Sequence, residues 1–220
     1  MGQTTETNSL EVRWFETGST PRAVDEWISG LGAVDTSTRT DLYFPPPGPA
    51  FNLKLRSEGG EFVELKRRLA DPTVHTFGPD VEGNVEQWYK WSFSLDHTPA
   101  PWTADRTGLW LPVTKTRMLY TFDEADLRAL DDGIPAADVS VHAEVTAVSA
   151  ASERAWTCGI EAAGPPGALA DAFRAAGSAL FGAGSPVALS TEQSLGYVAW
   201  LRRLLADARP SEAVLVPSKR

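Results

Sequence analysis

The feature that most constrains the fold is the alternation within residues 51–68, FNLKLRSEGGEFVELKRR. Alternating polar and apolar residues predict two antiparallel strands joined by a turn at residues 57–60. One face of this hairpin carries four cations, Lys54, Arg56, Lys66 and Arg68. Like charges on neighbouring strands repel, so this face needs water or an anion between its side chains. The pattern predicts either an anion-binding surface or the solvated face of an ordinary antiparallel sheet, whose apolar face packs into a core.

The composition bounds the class of protein. A chain of 220 residues can form one large domain or two small ones, and it can bury a sizeable core. The net charge of -9 argues against a partner that is a nucleic acid or a membrane surface, and it sets the basic hairpin apart. The single Cys158 excludes an internal disulfide, and its apolar neighbours predict a buried thiol. Without a signal-peptide core or a membrane-length apolar run, we expect a cytoplasmic protein of undetermined oligomeric state.

Alternation predicts further strands at residues 10–16, 41–44, 87–95, 113–122, 138–148 and 155–162. Helices are predicted after Pro21, at 124–130 with Asp123 as cap, from 165 to about 180, and from 191 to about 206. Residues 70–86 and 96–108 lack periodicity and are predicted to be loops. We expect one α+β domain over residues 10–207, a disordered segment at 1–9 and a loose tail at 208–220.

The polar faces of these strands share one property: cations recur at alternate positions, and carboxylates come mainly from the first and last strands. The positions are Glu11, Arg13, Lys54, Arg56, Glu64, Lys66, Arg68, Lys90, Lys115, Arg117, Glu144 and Glu161. Strands of this number can close into a barrel, and cations facing its interior would need anionic partners. Lys and Arg suit a phosphate chain, and carboxylates on the opposite wall could hold a divalent metal that bridges the phosphates.

The order of motifs resembles that of the CYTH family of triphosphate tunnel enzymes, which includes thiamine triphosphatases, inorganic triphosphatases and class IV adenylate cyclases. The resemblance is carried by EVRWF before a Pro-led helix, DLYF before a proline turn, the basic hairpin, VTKTRMLY, HAEVTAV with WTCGIE, and SLGYVAWL. It implies an eight-stranded antiparallel β-barrel flanked by helices. It also implies a tunnel that binds triphosphate-bearing substrates, usually with Mg or Mn.

Two departures from the family pattern concern the acidic motifs. The family's opening Glu-x-Glu-x-Lys corresponds to Glu11, Arg13 and Phe15, and its late Glu-x-Glu corresponds to Gly159 and Glu161. The residues that match phosphate-contacting, and therefore catalytic, positions are Lys54, Arg56, Lys66, Lys115 and Arg117. Further ligand-binding residues are expected at Arg13, Phe15, Arg68 and Lys90. The expected ligands of one Mg or Mn ion are Glu11, Glu144 and Glu161.

Three functions fit these residues. The first is a hydrolase that acts on the phosphoanhydride or phosphoester group of a small phosphorylated substrate. The second is a lyase or cyclase acting on an organic diphosphate, suggested by the eight Trp and nine Phe. The third is a non-catalytic module that binds polyphosphate or a nucleotide. His142 is either a general base or an ordinary hydrogen-bonded histidine, and Tyr197 either covers the tunnel mouth or packs in the core.

Overall fold

The computed structural model describes residues 4–56, 62–95, 110–130, 133–134 and 138–207. The strands are β1 (Thr4–Thr17), β2 (Val34–Tyr43), β3 (Phe51–Arg56), β4 (Phe62–Arg68), β5 (Thr73–Gly78), β6 (Val81–Ser94), β7 (Leu111–Phe122), β8 (Ser140–Ala150) and β9 (Glu153–Gly164). The helices of this described part are α1 (Arg22–Ser29), α2 (Glu124–Leu130), α3 (Pro166–Phe181) and α4 (Tyr197–Asp207). None of them combines the length and apolar character needed to cross a bilayer. The predicted turn at 57–60, most of the loop at 96–108 and the tail at 208–220 lie outside the described residues.

Eight of the strands close into an antiparallel barrel in the order β1-β9-β8-β7-β2-β3-β4-β6, with β6 returning to β1. The ninth strand, β5, lies outside the ring as the partner of the first part of β6. The predicted eight-stranded antiparallel barrel with flanking helices is therefore confirmed. Closure gives every barrel strand two neighbours, so the ring presents no open edge.

β1 is the strand that closes the barrel, and it is longer than the sequence predicts. Residues 4–11 pair with β6, and residues 8–17 pair with β9. Residues 4–9 were expected to be disordered because they are polar and show no apolar alternation. They form a strand because backbone hydrogen bonds to β6 need no particular side chains.

The prediction of a loop at residues 70–86 is wrong. These residues contain β5 and the start of β6, joined by a turn in which Asp80 has φ 56°. The Gly78-Pro79-Asp80 sequence is typical of a loop, but here it forms only the turn of the hairpin. Phe77 of β5 packs edge-on against Trp14 and Phe173, with ring centroids 6.0 and 5.9 Å apart, which anchors the hairpin.

The larger hydrophobic core lies outside the barrel, between its wall and the helices. Val12 and Trp14 of β1 and Val141 of β8 face outward, and Phe173 and Phe181 of α3 cover them. Each such side chain contributes roughly 1.5–3 kcal/mol on burial, so this core accounts for much of the stability. Cys158 belongs to it, as expected, and burial raises the pKa of its thiol to about 12.

A smaller hydrophobic cluster forms where α4 lies against one end of the barrel interior. Phe15, Tyr43 and Val113 meet Leu201 and Leu204 of α4. The predicted helix at 191–206 begins only at residue 197, because the preceding segment binds β1 through backbone hydrogen bonds. The expected capping contact does form, because the backbone N–H of residue 190 donates to the side-chain oxygen of residue 193 at 2.8 Å. It closes a turn before α4 and does not begin the helix itself.

The apolar face of the basic hairpin lies on the outer surface of the barrel. Leu53, Leu65 and Trp91 stand side by side on β3, β4 and β6, and all three are half-buried. Neither hydrophobic cluster of the described residues includes them. Of the two alternatives for this hairpin, the open sheet whose apolar face packs into a core is therefore not the one found, because the strands curve into a barrel whose helices cover other strands.

Candidate anion-binding interior

A cavity of about 130 Å³ lies inside the barrel, and every one of the eight ring strands contributes to its lining. A single water needs a cavity of roughly 10–15 Å³, so this cavity has room for several waters or for phosphate groups. The cations that line it are Arg13, Arg39, Lys54, Arg56, Lys66, Lys90, Lys115 and Arg117. The carboxylates that line it are Glu11, Glu64, Glu86, Glu144 and Glu161. The charged side chains therefore point inward.

The cations of the basic hairpin are neutralised within the barrel. Glu64 of β4 lies directly opposite Lys54 of β3, and the Lys54 Nζ lies 2.7 Å from its carboxylate. Arg56 lies 3.4 Å from the same carboxylate, and Arg68 lies 3.2 Å from Glu86. Burial by itself raises the pKa of Glu64, but Lys54 outweighs it and holds this pKa well below its usual range. Internal carboxylates thus relieve the repulsion for which the sequence suggested water or an anion.

Asp41 anchors the second group of charges, which we call the Asp41 cluster (Arg39, Asp41, Lys54 and Lys115). The Asp41 carboxylate is fully buried and lies 2.9 Å from the Lys115 Nζ, 3.2 Å from Arg39 and 3.8 Å from Lys54. Burial opposes its ionisation, but the cations led by Lys54 lower its pKa to about 2. Asp41 is therefore an obligatory anion of the resting barrel.

Lys115 is a buried cation whose pKa is lowered, in contrast to those of Arg13 and Lys66, which are raised. Its Nζ donates to the Tyr43 hydroxyl at 2.7 Å and lies 4.0 Å from the centre of the Tyr197 ring. Burial and then the neighbouring Lys54 ammonium lower its pKa to about 7, although Asp41 acts in the opposite direction. A buried amine of this kind exchanges its proton near neutral pH, which is a property of catalytic lysines.

Arg13 binds Glu144 across an intervening strand. In the register of β1, β9 and β8, Arg13 stands beside Gly159, and Gly159 stands beside Glu144. The guanidinium donates to Glu144 at 2.8 Å and to the Thr157 hydroxyl at 3.2 Å. Although burial raises the pKa of Glu144, Arg13 lowers it to about 2. The hydroxyl of Thr146 donates to the same carboxylate at 2.7 Å.

Lys66 occupies the space between Glu11 and Glu161. These carboxylates are direct cross-strand neighbours, and Lys66 reaches them from the separate strand β4. Its Nζ donates to Glu11 and lies 3.4 Å from the Glu161 carboxylate. Burial lowers the pKa of Lys66, but the two carboxylates outweigh that effect and raise it well above its usual range.

The three expected metal ligands are therefore divided between two cations. Glu11 and Glu161 bind Lys66, whereas Glu144 binds Arg13. Throughout the described ranges, no three His, Cys, Asp or Glu side chains converge as metal ligands would. The arrangement does not fit Mg or Mn, because hard cations need several oxygens that are free to coordinate.

Lys90 and Arg117 differ from the other cations of the lining. Among the described residues, neither has a carboxylate within ion-pair distance, and the buried Nε of Arg117 has no hydrogen-bond partner. Burial lowers the pKa of the nearby His142, and both cations act in the same direction. The ring of His142 is hydrogen-bonded to the hydroxyl of Thr121 at 3.0 Å, as expected for an ordinary histidine.

Most of the residues that the sequence singled out line this cavity, and two do not. Phe15 stacks on Trp200 with ring centroids 5.1 Å apart, which places it in the cluster under α4. Arg68 lies behind the lining and binds Glu86.

Sequence reasoning missed five charged or aromatic residues of the site: Arg39, Tyr43, Glu86 and Trp88 in the lining, and Asp41 behind it. Alternation at residues 39, 41 and 43 is a signal for three of them, but the predicted strand began only at residue 41.

Neither protein-family models nor curated proteins give a match to this chain.

Proposed function

We propose that the barrel interior binds the di- or triphosphate group of a small molecule and acts on its phosphoanhydride or phosphoester bond, as a hydrolase does. The observation that carries this proposal is the pair Lys90 and Arg117, two cations of the lining that have no carboxylate partner among the described residues. The described lining holds eight cations against five carboxylates, an excess of three positive charges in a protein of net charge -9.

The chemistry of the lining suits a phosphate chain. Arg117 presents a forked guanidinium from β7, and Lys90 presents a point charge from β6 on the opposite side of the ring, so they can contact a phosphate chain from two sides. Fixed cations in a largely desolvated cavity stabilise the charge that develops on a departing phosphate group. Lys115, with its pKa of about 7, can supply or accept a proton there at neutral pH.

The similarity of the motif order to the CYTH family supports the same proposal, since an eight-stranded tunnel lined by cations is what that resemblance implies. The departures at Arg13, Phe15 and Gly159 weigh against the family's usual metal chemistry. We therefore keep the phosphate ligand and the barrel from the resemblance, but not its metal.

One observation favours a second function. The aromatic side chains of Tyr43, Trp88 and Tyr197 line the cavity beside the cations. They offer apolar surface for the organic part of a diphosphate ester, which would be eliminated or cyclised once the cations hold the leaving diphosphate. A binding module without turnover is the remaining alternative.

A direct test measures phosphate release from tripolyphosphate, ATP and thiamine triphosphate, together with diphosphate release from allylic diphosphates. Binding is measured in parallel by calorimetry. We expect the Lys90→Ala/Arg117→Ala double variant to bind tripolyphosphate at least about tenfold more weakly, which corresponds to the loss of about 1.4 kcal/mol. Arg22→Ala, on the exposed face of α1, is the matched control.

The outcomes separate the alternatives. Release of inorganic phosphate supports the hydrolase, and release of diphosphate alone supports the lyase or cyclase. Binding without turnover leaves only the binding module. If none of these phosphates binds, or if the double variant binds them as the unmodified protein does, the proposal is wrong.

A further inference from the structure

The wall of the cavity formed by β1, β9 and β8 carries three carboxylates, and each of them is already occupied by a cation of the protein itself. This inference rests on the proposed function, because it concerns how the same interior balances the charge of a phosphate ligand. It begins from Glu11 and Glu161, which face each other on neighbouring strands. Two carboxylates so placed repel unless a cation lies between them.

Lys66 is that cation, and its origin matters. It comes from β4, which is not a neighbour of β1 or β9 in the ring, so its side chain crosses the interior to reach Glu11 and Glu161. Only about an eighth of the Lys66 side chain is exposed, at 13%. An ammonium group held in this way occupies one oxygen of each carboxylate and places a positive charge where a divalent metal would lie.

The third carboxylate of this wall, Glu144, is occupied by Arg13, which reaches it past Gly159. A glutamate at position 13 would complete a Glu-x-Glu pair with Glu11, but an arginine stands there and extends to Glu144. Its guanidinium passes Gly159, where a Cβ would lie only 2.6 Å from the carbonyl oxygen of Val12. The strand between Arg13 and Glu144 therefore contributes no side chain, and the ion pair closes over it.

We propose that Arg13 and Lys66 are resident counter-ions that replace a divalent metal, so that the interior binds phosphate groups without Mg or Mn. Arg13 and Lys66 offset two of the three negative charges of this wall, while Lys90 and Arg117 meet the ligand. A metal at Glu144 would compete with Arg13, and a metal at Glu11 would compete with Lys66, because each cation contacts the carboxylate that the metal would bind. In either case a buried cation would lose its partner.

The first experiment measures tripolyphosphate binding by calorimetry in metal-depleted buffer, with and without EDTA. We expect the dissociation constants measured with and without EDTA to agree within about threefold. A weakening of tenfold or more with EDTA would overturn the proposal.

The second experiment needs no phosphate ligand, so it separates this proposal from the proposed function. Mn²⁺ is titrated into the full chain, and bound Mn²⁺ is measured by electron paramagnetic resonance. We expect no bound Mn²⁺ that depends on Glu144. Saturable Mn²⁺ binding that Glu144→Gln abolishes would overturn the inference, even if tripolyphosphate does not bind at all.

Removing the counter-ions should create the missing metal site. Arg13→Glu frees Glu144 and adds a carboxylate, so we expect Mn²⁺ affinity to rise at least about tenfold, since hard-cation affinity follows the number of charged oxygens. Arg13→Gln and Lys66→Gln are milder versions that serve if Arg13→Glu does not fold, as judged by circular dichroism. Arg22→Gln is the control. If every folded variant binds Mn²⁺ no better than the control does, Arg13 and Lys66 are not what excludes the metal.

Discussion

The Asp41 cluster and the Lys90–Arg117 pair line the same cavity with the same kinds of side chain, yet they stand in opposite electrostatic situations. In the cluster, a buried aspartate holds three cations at 2.9, 3.2 and 3.8 Å, and two tyrosine rings enclose Lys115. Lys90 and Arg117 have no carboxylate within ion-pair distance among the described residues, although Lys90 adds to the lowering of the pKa of Glu161 and Arg117 to that of Glu144. The difference teaches that a row of inward cations is not one functional unit. Cations with an internal partner hold the barrel together, and those without one can receive a ligand.

The largest expected effect comes from removing the anion of the cluster. Asp41→Asn leaves Lys115, Lys54 and Arg39 without their common carboxylate, so we expect the free energy of unfolding to fall by about 3 kcal/mol. Urea denaturation followed by circular dichroism measures it. Asp35→Asn, at an exposed position of the same strand, is the control and should stay within about 0.5 kcal/mol. Equal effects at the two positions would show that the cluster does not stabilise the fold.

The pH dependence of stability tests Lys115. Its pKa is about 7 in the folded protein and 10.5 ordinarily, so between these values the unfolded chain holds a proton that the folded chain lacks. The contribution of Lys115 to the free energy of unfolding therefore rises as the pH increases from about 7 to about 10.5, by up to about 1.4 kcal/mol per pH unit. Denaturation midpoints at pH 7 and pH 9 should differ more for the unmodified protein than for Lys115→Met. Parallel pH profiles would contradict the lowered pKa.

A smaller difference in stability is expected between variants of Tyr43 and Tyr197, the two tyrosines that contact Lys115. The Tyr43 hydroxyl accepts a hydrogen bond from Lys115 at 2.7 Å, whereas the buried Tyr197 hydroxyl has no hydrogen-bond partner in the described part of the chain. Tyr43→Phe should therefore cost about 1 kcal/mol, and Tyr197→Phe should cost nothing or stabilise slightly. Thermal unfolding of both variants in one buffer measures the difference. A larger loss of stability for Tyr197→Phe than for Tyr43→Phe would show that the cluster extends to Tyr197.

The smallest effect is expected from Lys90 and Arg117 in the absence of ligand. Lys90→Gln and Arg117→Gln break no ion pair of the described residues, so the free energy of unfolding should change by less than about 0.5 kcal/mol or rise. Sulfate should stabilise the unmodified protein more than either variant, because it supplies the missing anion. A large loss of stability without sulfate would place these two cations with the Asp41 cluster.

Local patterns in the sequence predict much of the fold. Helix α2 is found at the predicted residues, and its cap forms through a 2.8 Å bond from the Asp126 N–H to the Asp123 carboxylate. Helix α3 starts within one residue of its prediction, after Pro165. What the patterns could not supply are elements defined by a distant partner. Strand β1 gains residues 4–9 from β6, and the segment before α4 is bound by β1.

The same reasoning explains what the sequence could and could not say about the site. Alternation identified the inward face of each strand correctly, so Lys54, Lys66 and Arg117 were found. It could not say which anion each cation meets, because the partners of Lys66 lie 55 and 95 residues away along the chain, and the partner of Arg13 lies 131 residues away. Barrel closure decides those pairs, and closure is a property of the whole ring rather than of any segment.

Gly159 carries a consequence for how this barrel can change by mutation. Any side chain at position 159 would press on the backbone of β1, where a Cβ meets the Val12 carbonyl oxygen at 2.6 Å. The other atoms it would meet are the Cα and Cβ of residue 13, which remain whatever side chain replaces the arginine. A carboxylate therefore cannot be added at position 159 by a single substitution unless the backbone of β1 also moves.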